Sequence, residues 1–252
     1  MHPVLLLPGT LCTGSIFERQ VKALGGLAPH VEVIQFRRER SIEEMAATVA
    51  KRIPPGTSAA VAGFSMGGMV ALALARQAAD KIARLALINS NHHGDRPERR
   101  SRRLGQLATL TDTGLPRLIE EDYLPRYLHR QRLEHRTLII DMARELGVEC
   151  FRAQTAALAS RPAASDTLRA LACPTLIIGS TQDALCPPAV QIEMHRLAPH
   201  SDLLLLGDCG HFSTLERPGA VSHALCGWYL SGTAGTEGPG PGGTTLPRRD
   251  GR

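Results

Sequence analysis

No apolar run in the sequence approaches the roughly 20 residues that a membrane helix requires. The amino end, Met1-His2-Pro3 leading into the apolar run 4–7, is too short for a signal peptide. Together these absences give a soluble, cytoplasmic protein as the expectation. Paired cysteine spacing is also missing: Cys12, Cys150, Cys173, Cys186, Cys209 and Cys226 are scattered, which argues against a zinc site and a dense disulfide framework and for reduced thiols. Cys186 and Cys209 follow two strands at the candidate site, a neighbourhood read as chance. The formal charge of +5 concentrates at 37–40 and 96–103, where no aromatics are interleaved and Glu39 and Glu98 intervene. That pattern excludes a nucleic-acid groove and reads as solvated helix faces, while leaving attraction of an acidic partner open. Internal repeats and heptads are absent as well. Beyond 231, Gly, Thr and Pro dominate and end in a basic tip, the composition of a dispensable, disordered tail.

What is present can build one substantial core: 252 residues, 43% of them hydrophobic. Runs rich in Val, Ile and Leu recur at 4–7, 31–36, 59–62, 83–88, 175–178 and 202–206, separated mostly by helical patterns. This alternation predicts an α/β protein with a mostly parallel sheet of about six strands and helices on both faces. Ser41-Ile42-Glu43-Glu44 is a capping box that opens a helix towards Arg52, stopped by Pro54-Pro55-Gly56. Further helices are expected over 66–79, 188–197 and 219–230. The interval 91–165 is too long for a connection and carries four helical patterns, at 99–110, 115–127, 137–146 and 148–159. It reads as an inserted helical cap, which divides the chain into a core (1–90 and 166–230), a cap (91–165) and a tail (231–252).

Gly63-Phe64-Ser65-Met66-Gly67 is the most informative stretch. It sets a serine between glycines where an apolar strand gives way to a helix, the pattern of a nucleophile elbow. The Met66 N–H opens the helix, where it can face an oxyanion, and Gly68 lets the helix pack close beneath. A serine nucleophile needs a base, and the base needs an acid to hold its tautomer. Asp183 follows the strand at 175–178, and His211 follows the strand at 202–206 on a glycine-flanked loop, so both emerge at the sheet's carboxyl edge. Asp95 and Asp208 are rival acids.

The order Ser65, Asp183, His211, with a long insertion after the fourth strand, resembles the α/β-hydrolase superfamily over residues 3–230. Within it the sequence is similar to small capped esterases related to the pimeloyl-acyl-carrier-protein methyl ester carboxylesterase, and to haloperoxidase-like and carbon–carbon hydrolases. The resemblance implies Ser65 as nucleophile, His211 as base and acid, and Asp183 as orienting carboxylate. It also implies an oxyanion hole made by the backbone N–H groups of Met66 and Thr10, the latter in Leu7-Pro8-Gly9-Thr10-Leu11. Pro8 stands where the family usually has a histidine.

The chemistry expected is hydrolysis of a small to medium carboxylic ester through an acyl-serine, with no cofactor and no metal. A thioesterase, a lactonase, a carbon–carbon hydrolase, or a binding protein on the same scaffold are the alternatives, and a thioesterase can use the basic cap to draw an acidic carrier protein. Serine at the elbow excludes dehalogenase and epoxide-hydrolase chemistry, which needs aspartate there. Adjacent His92 and His93 lack spaced partners for a metal and read as hinge or surface residues. Tyr123, Tyr127, Met142 and Phe151 read as packing between cap helices.

Overall fold

The computed structural model describes residues 1–95, 98, 101, 105, 107 and 110–231. Six strands, β1 (Val4–Leu7), β2 (Val31–Val33), β3 (Ala59–Phe64), β4 (Ile82–Ile88), β5 (Thr175–Ser180) and β6 (Asp202–Leu206), pair in the order β2-β1-β3-β4-β5-β6. Every pairing is parallel. Side chains alternate faces along a strand, and the alternation sorts the core in two. Val4, Leu6, Ala60, Ala62, Ile88 and Ile178 lie on one face, and Leu5, Leu7, Ala59, Val61, Leu87 and Ile177 on the other. Each fully buried leucine or phenylalanine in these layers contributes about 1.5–3 kcal/mol.

The first face is covered by α1 (Glu18–Gly25), which packs through Leu24 beside Phe17, and by the carboxyl-terminal helix, which packs through Leu225 and Trp228. The second is covered by α2 (Ile42–Arg52) and α3 (Met66–Gln77). At the start of α2 the Ser41 Oγ accepts the Glu44 N–H at 3.1 Å, and the Glu44 carboxylate reaches back to the Arg40 N–H at 2.7 Å. The capping box therefore forms, shifted by one residue at its return bond. Arg37 and Arg38 precede this helix in a bend, so this basic run is not the helix face expected.

Strand β2 stops at Val33, short of the expected 36. Its last rung is the Ile34 N–H on Leu6 O, because β1 turns away at Pro8-Gly9 and leaves nothing to pair with. Ile34 and Phe36 instead bury their side chains in the second layer.

Between β4 and β5 lie α4 (Leu115–Leu118), a π-helical turn (Ile119–Tyr123), α5 (Leu124–Tyr127), α6 (Leu133–Ser160) and α7 (Ser165–Arg169). The helical pattern at 115–127 is thus one helix in three segments, with Pro116 and Pro125 each in a segment's first turn. α6 is broken at Gly147 (φ +74°, ψ 174°), and the Val148 N–H freed by the break donates to Asp112 Oδ1 at 2.8 Å. The helix expected at 99–110 and the basic run at 96–103 lie largely outside the described residues, and the tail lies outside them from residue 232. After β5 come α8 (Pro188–Leu197), α9 (Ser213–Glu216) and α10 (Pro218–Leu230). Among the described residues no helix is long and apolar enough to cross a membrane.

Candidate active site

Five strand ends build the site. Because every strand is parallel, the residues after β1, β3, β4, β5 and β6 share the carboxyl edge. Among the described residues, four non-glycine residues have positive φ: Leu11, Ser65, Asn89 and Asp208, which follow β1, β3, β4 and β6. Backbone strain is concentrated on this rim.

At the elbow, Ser65 sits at φ +51°, ψ −113°, and its N–H still bonds Ile88 O at 2.9 Å. The flanking glycines are required by contact. A Cβ on Gly63 would lie 2.3 Å from Gly67 O, and one on Gly67 would lie 2.0 Å from Leu7 O. With α3 seated this close, the serine side chain faces away from the sheet.

Ser65 Oγ and His211 Nε2 are 2.9 Å apart, and His211 Nδ1 and Asp183 Oδ2 are 2.8 Å apart. An ionised carboxylate only accepts, so Nδ1 carries the proton, Nε2 is the acceptor, and the serine hydroxyl donates to it. Asp183 Oδ1 accepts from the N–H groups of Leu185 and Cys186, at 2.8 and 2.9 Å. Burial acts to raise the Asp183 carboxyl; the charge and hydrogen bond of His211, with the Cys186 N–H and the Asn89 amide, outweigh it and hold the group below its ordinary range.

Asn89 was not singled out from the sequence. Fully buried, it donates to Asp183 Oδ2 at 2.9 Å and to Ser180 Oγ at 3.0 Å, and it accepts from Ser213 Oγ at 2.5 Å. One side chain thus ties together the loops after β4, β5 and β6. Its only sequence signal is a small polar residue at the end of an apolar strand.

The rival acids have other partners. Asp208 pairs with Arg130, His129 and Arg217, and Asp95 lies 3.4 Å from the Arg161 guanidinium. Thr10 and Met66 come together, the Thr10 hydroxyl donating to Met66 Sδ at 3.7 Å. The next residue, Leu11, gives its N–H to Gln154 Oε1 at 2.8 Å, while Gln154 Nε2 donates to Phe36 O at 2.8 Å. The loop after β1 is therefore pinned by α6.

Ser65 and His211 open into a cavity of about 290 Å³. Tyr123, Tyr127 and Phe151 pack on one another as expected, yet they also wall this cavity, and the Tyr127 ring stacks on His211 at 5.9 Å. Met142 is buried beneath, where its Sδ accepts the Thr13 N–H. Arg126, over the Tyr123 ring at 5.3 Å, and Asn91 also line the cavity, with Thr155, Leu158 and Arg161. His92 departs from the surface reading: it is 2% exposed, and burial together with the neighbouring His93 holds its imidazole below the usual histidine range. Among the described residues no cysteine pairs in a disulfide, and burial pushes the Cys209 thiol up to about 12.

A parallel sheet whose carboxyl rim carries a serine elbow, an acid loop and a histidine loop defines the α/β-hydrolase class of enzymes. The chain belongs to the Alpha/beta hydrolase family, whose model matches residues 4–224. A thermophilic esterase of Thermogutta terrifontis, solved with malate bound, superposes with TM-score 0.81 at 29% identity, covering 91% of this chain and 89% of the other. The enol-lactonase of Burkholderia xenovorans LB400 superposes with TM-score 0.78 at 23% identity and 91% coverage of both, a likeness of fold. In sequence, the Mycobacterium tuberculosis protein BpoC, which carries the name of a non-heme bromoperoxidase, is 35% identical over 63 residues. That match covers 25% of this chain and 24% of the curated relative's length.

Proposed function

We propose that the protein hydrolyses small to medium carboxylic esters through an acyl-serine, with residues 91–165 acting as a cap over the site. Ser65 Oγ attacks the substrate carbonyl carbon while its proton passes to His211 Nε2. Asp183 keeps the other ring proton on Nδ1 and stabilises the imidazolium. The carbonyl oxygen, now an oxyanion, is received by the backbone N–H groups of Met66 and Thr10. His211 returns the proton to the departing alkoxide, the C–O bond breaks, and an alcohol leaves. Water then attacks the acyl carbon and gives its proton to His211, which passes it back to Ser65 as the acid departs.

The observation that carries this reading is the unbroken hydrogen-bonded relay from Asp183 through His211 to Ser65, opening into an aromatic-walled cavity. The cavity's size suits one small ester. Thioesters and lactones would engage the same groups, so a panel of all three ranks the leaving group. Scattered cysteines that form no disulfide among the described residues support a cytoplasmic location.

A chromogenic short-chain ester assay with Ser65→Ala tests the proposal. Loss of roughly 10³-fold or more in kcat with folding unchanged is expected, and a fluorophosphonate adduct should map to Ser65. Equal turnover by wild type and variant removes it.

A further inference from the structure

From the sequence, His92 and His93 lacked a third ligand; α8 supplies one. Glu193 places Oε1 at 3.3 Å from His92 Nε2 and Oε2 at 3.2 Å from His93 Nε2. The two ring centroids are 4.1 Å apart, with the planes tilted by 40°. In each residue a ligand atom stands within 4.8 Å of those of the other two. We propose that His92, His93 and Glu193 form a binding site for a divalent transition-metal ion of the zinc class.

Three observations bear on this. His92 is 2% exposed, and among the described residues neither of its ring nitrogens has a hydrogen-bond partner. The Glu193 carboxylate makes only a long contact to Nε2, at 3.3 Å, and Nδ1 has no partner among these residues, so the buried ring is incompletely satisfied. The separations of 3.2 and 3.3 Å match the ~3.3 Å edge of a tetrahedron with metal–ligand bonds of about 2.0–2.1 Å. The backbone of the pair is also held in place: His92 O accepts the Ala164 N–H at 2.8 Å, and His93 O accepts Arg161 Nε at 3.0 Å.

His93 and Glu193 are each about half exposed, at 48% and 49% of their side chains, which leaves an entry path and room for water at the remaining position. Two imidazoles and a carboxylate suit Zn²⁺, Co²⁺ or Ni²⁺ rather than the oxygen-seeking Mg²⁺ and Ca²⁺. The nearby cation Arg169 is paired with Asp166. The site is separate from the Ser65 relay and does not depend on the proposed esterase activity.

The test is titration of the metal-free full chain with Zn²⁺ in competition with a chromophoric chelator, beside thermal unfolding with and without Zn²⁺. Wild type should bind one ion saturably and melt higher in its presence. His93→Ala and Glu193→Gln, changes at half-exposed positions, should each weaken binding at least about 10-fold and abolish the thermal shift, while His129→Ala should do neither. Because Cys173 and Cys226 are partly exposed, the readout is the difference between wild type and variants. Absence of saturable binding overturns the site, as does binding that survives either His93→Ala or Glu193→Gln.

Discussion

Ser65 adopts a conformation that costs an L residue about 1–3 kcal/mol, and the surroundings hold it there through contacts that tolerate nothing larger than hydrogen at Gly67. Gly67→Ala should therefore lower the melting temperature sharply and cost more than about 2 kcal/mol, since the added Cβ meets the Leu7 carbonyl at 2.0 Å. Thermal unfolding measures it. At the acid position, Asp183→Asn keeps the shape and reverses the proton demand on His211 Nδ1, so kcat should fall by about 10⁴-fold. Asp95→Asn and Asp208→Asn should leave kcat within about an order of magnitude, because Asp95 pairs with Arg161, and Asp208 with Arg130, His129 and Arg217. Ester turnover by the three variants, measured side by side, decides the assignment. At this scale Ser65, Asp183 and His211 could be read from motif and strand order, because each ends an apolar strand in a loop of distinctive composition. Asn89 could not: its three partners come from segments more than 90 positions away.

Single elements between β4 and β5 hold loops that follow other strands. Tyr127 O accepts the His211 N–H at 2.8 Å, and Glu216 accepts the N–H groups of Gly210 at 3.0 Å and His129 at 2.9 Å, clasping α5 to the histidine loop. On the other side Gln154 of α6 bridges the loop after β1 and the backbone of Phe36. Removal of that bridge by Gln154→Ala leaves the buried Leu11 N–H unpaired and Phe36 O with the Cys150 thiol as donor, at about 1–3 kcal/mol. Because Leu11 adjoins Thr10, the loop's N–H should lose its aim. Kinetics on a short-chain ester should show kcat down with KM little changed; a rise in KM alone would mean that Gln154 only shapes the cavity. Where sequence patterns misjudged an element, the cause was tertiary. β2 ends when its partner strand turns away, and the 37–40 run has no helix to lie on.

For the molecule as a whole, the acid limb of stability is set in part by Asp183. Its carboxyl is more acidic folded than in the unfolded chain, where it returns to about 3.9. The contribution is therefore complete above that value and is lost as the pH falls through the folded one. In denaturant unfolding the stability advantage of wild type over Asp183→Asn should shrink as the pH falls from about 4 towards 2. An advantage constant over that range would mean the carboxylate charge is not what the native state holds.

By itself the sequence determined the alternation of strand and helix, the all-apolar strands that demand cover on both faces, and the serine elbow. These follow from local periodicity and from glycines placed where side chains cannot fit. The strand order β2-β1-β3-β4-β5-β6, the seating of Tyr123, Tyr127 and Phe151 on the cavity wall, and the meeting of His92 and His93 with Glu193 were decided only in three dimensions. Each depends on which distant surfaces exclude water together, and hydrophobic burial is non-directional, so no local pattern records it.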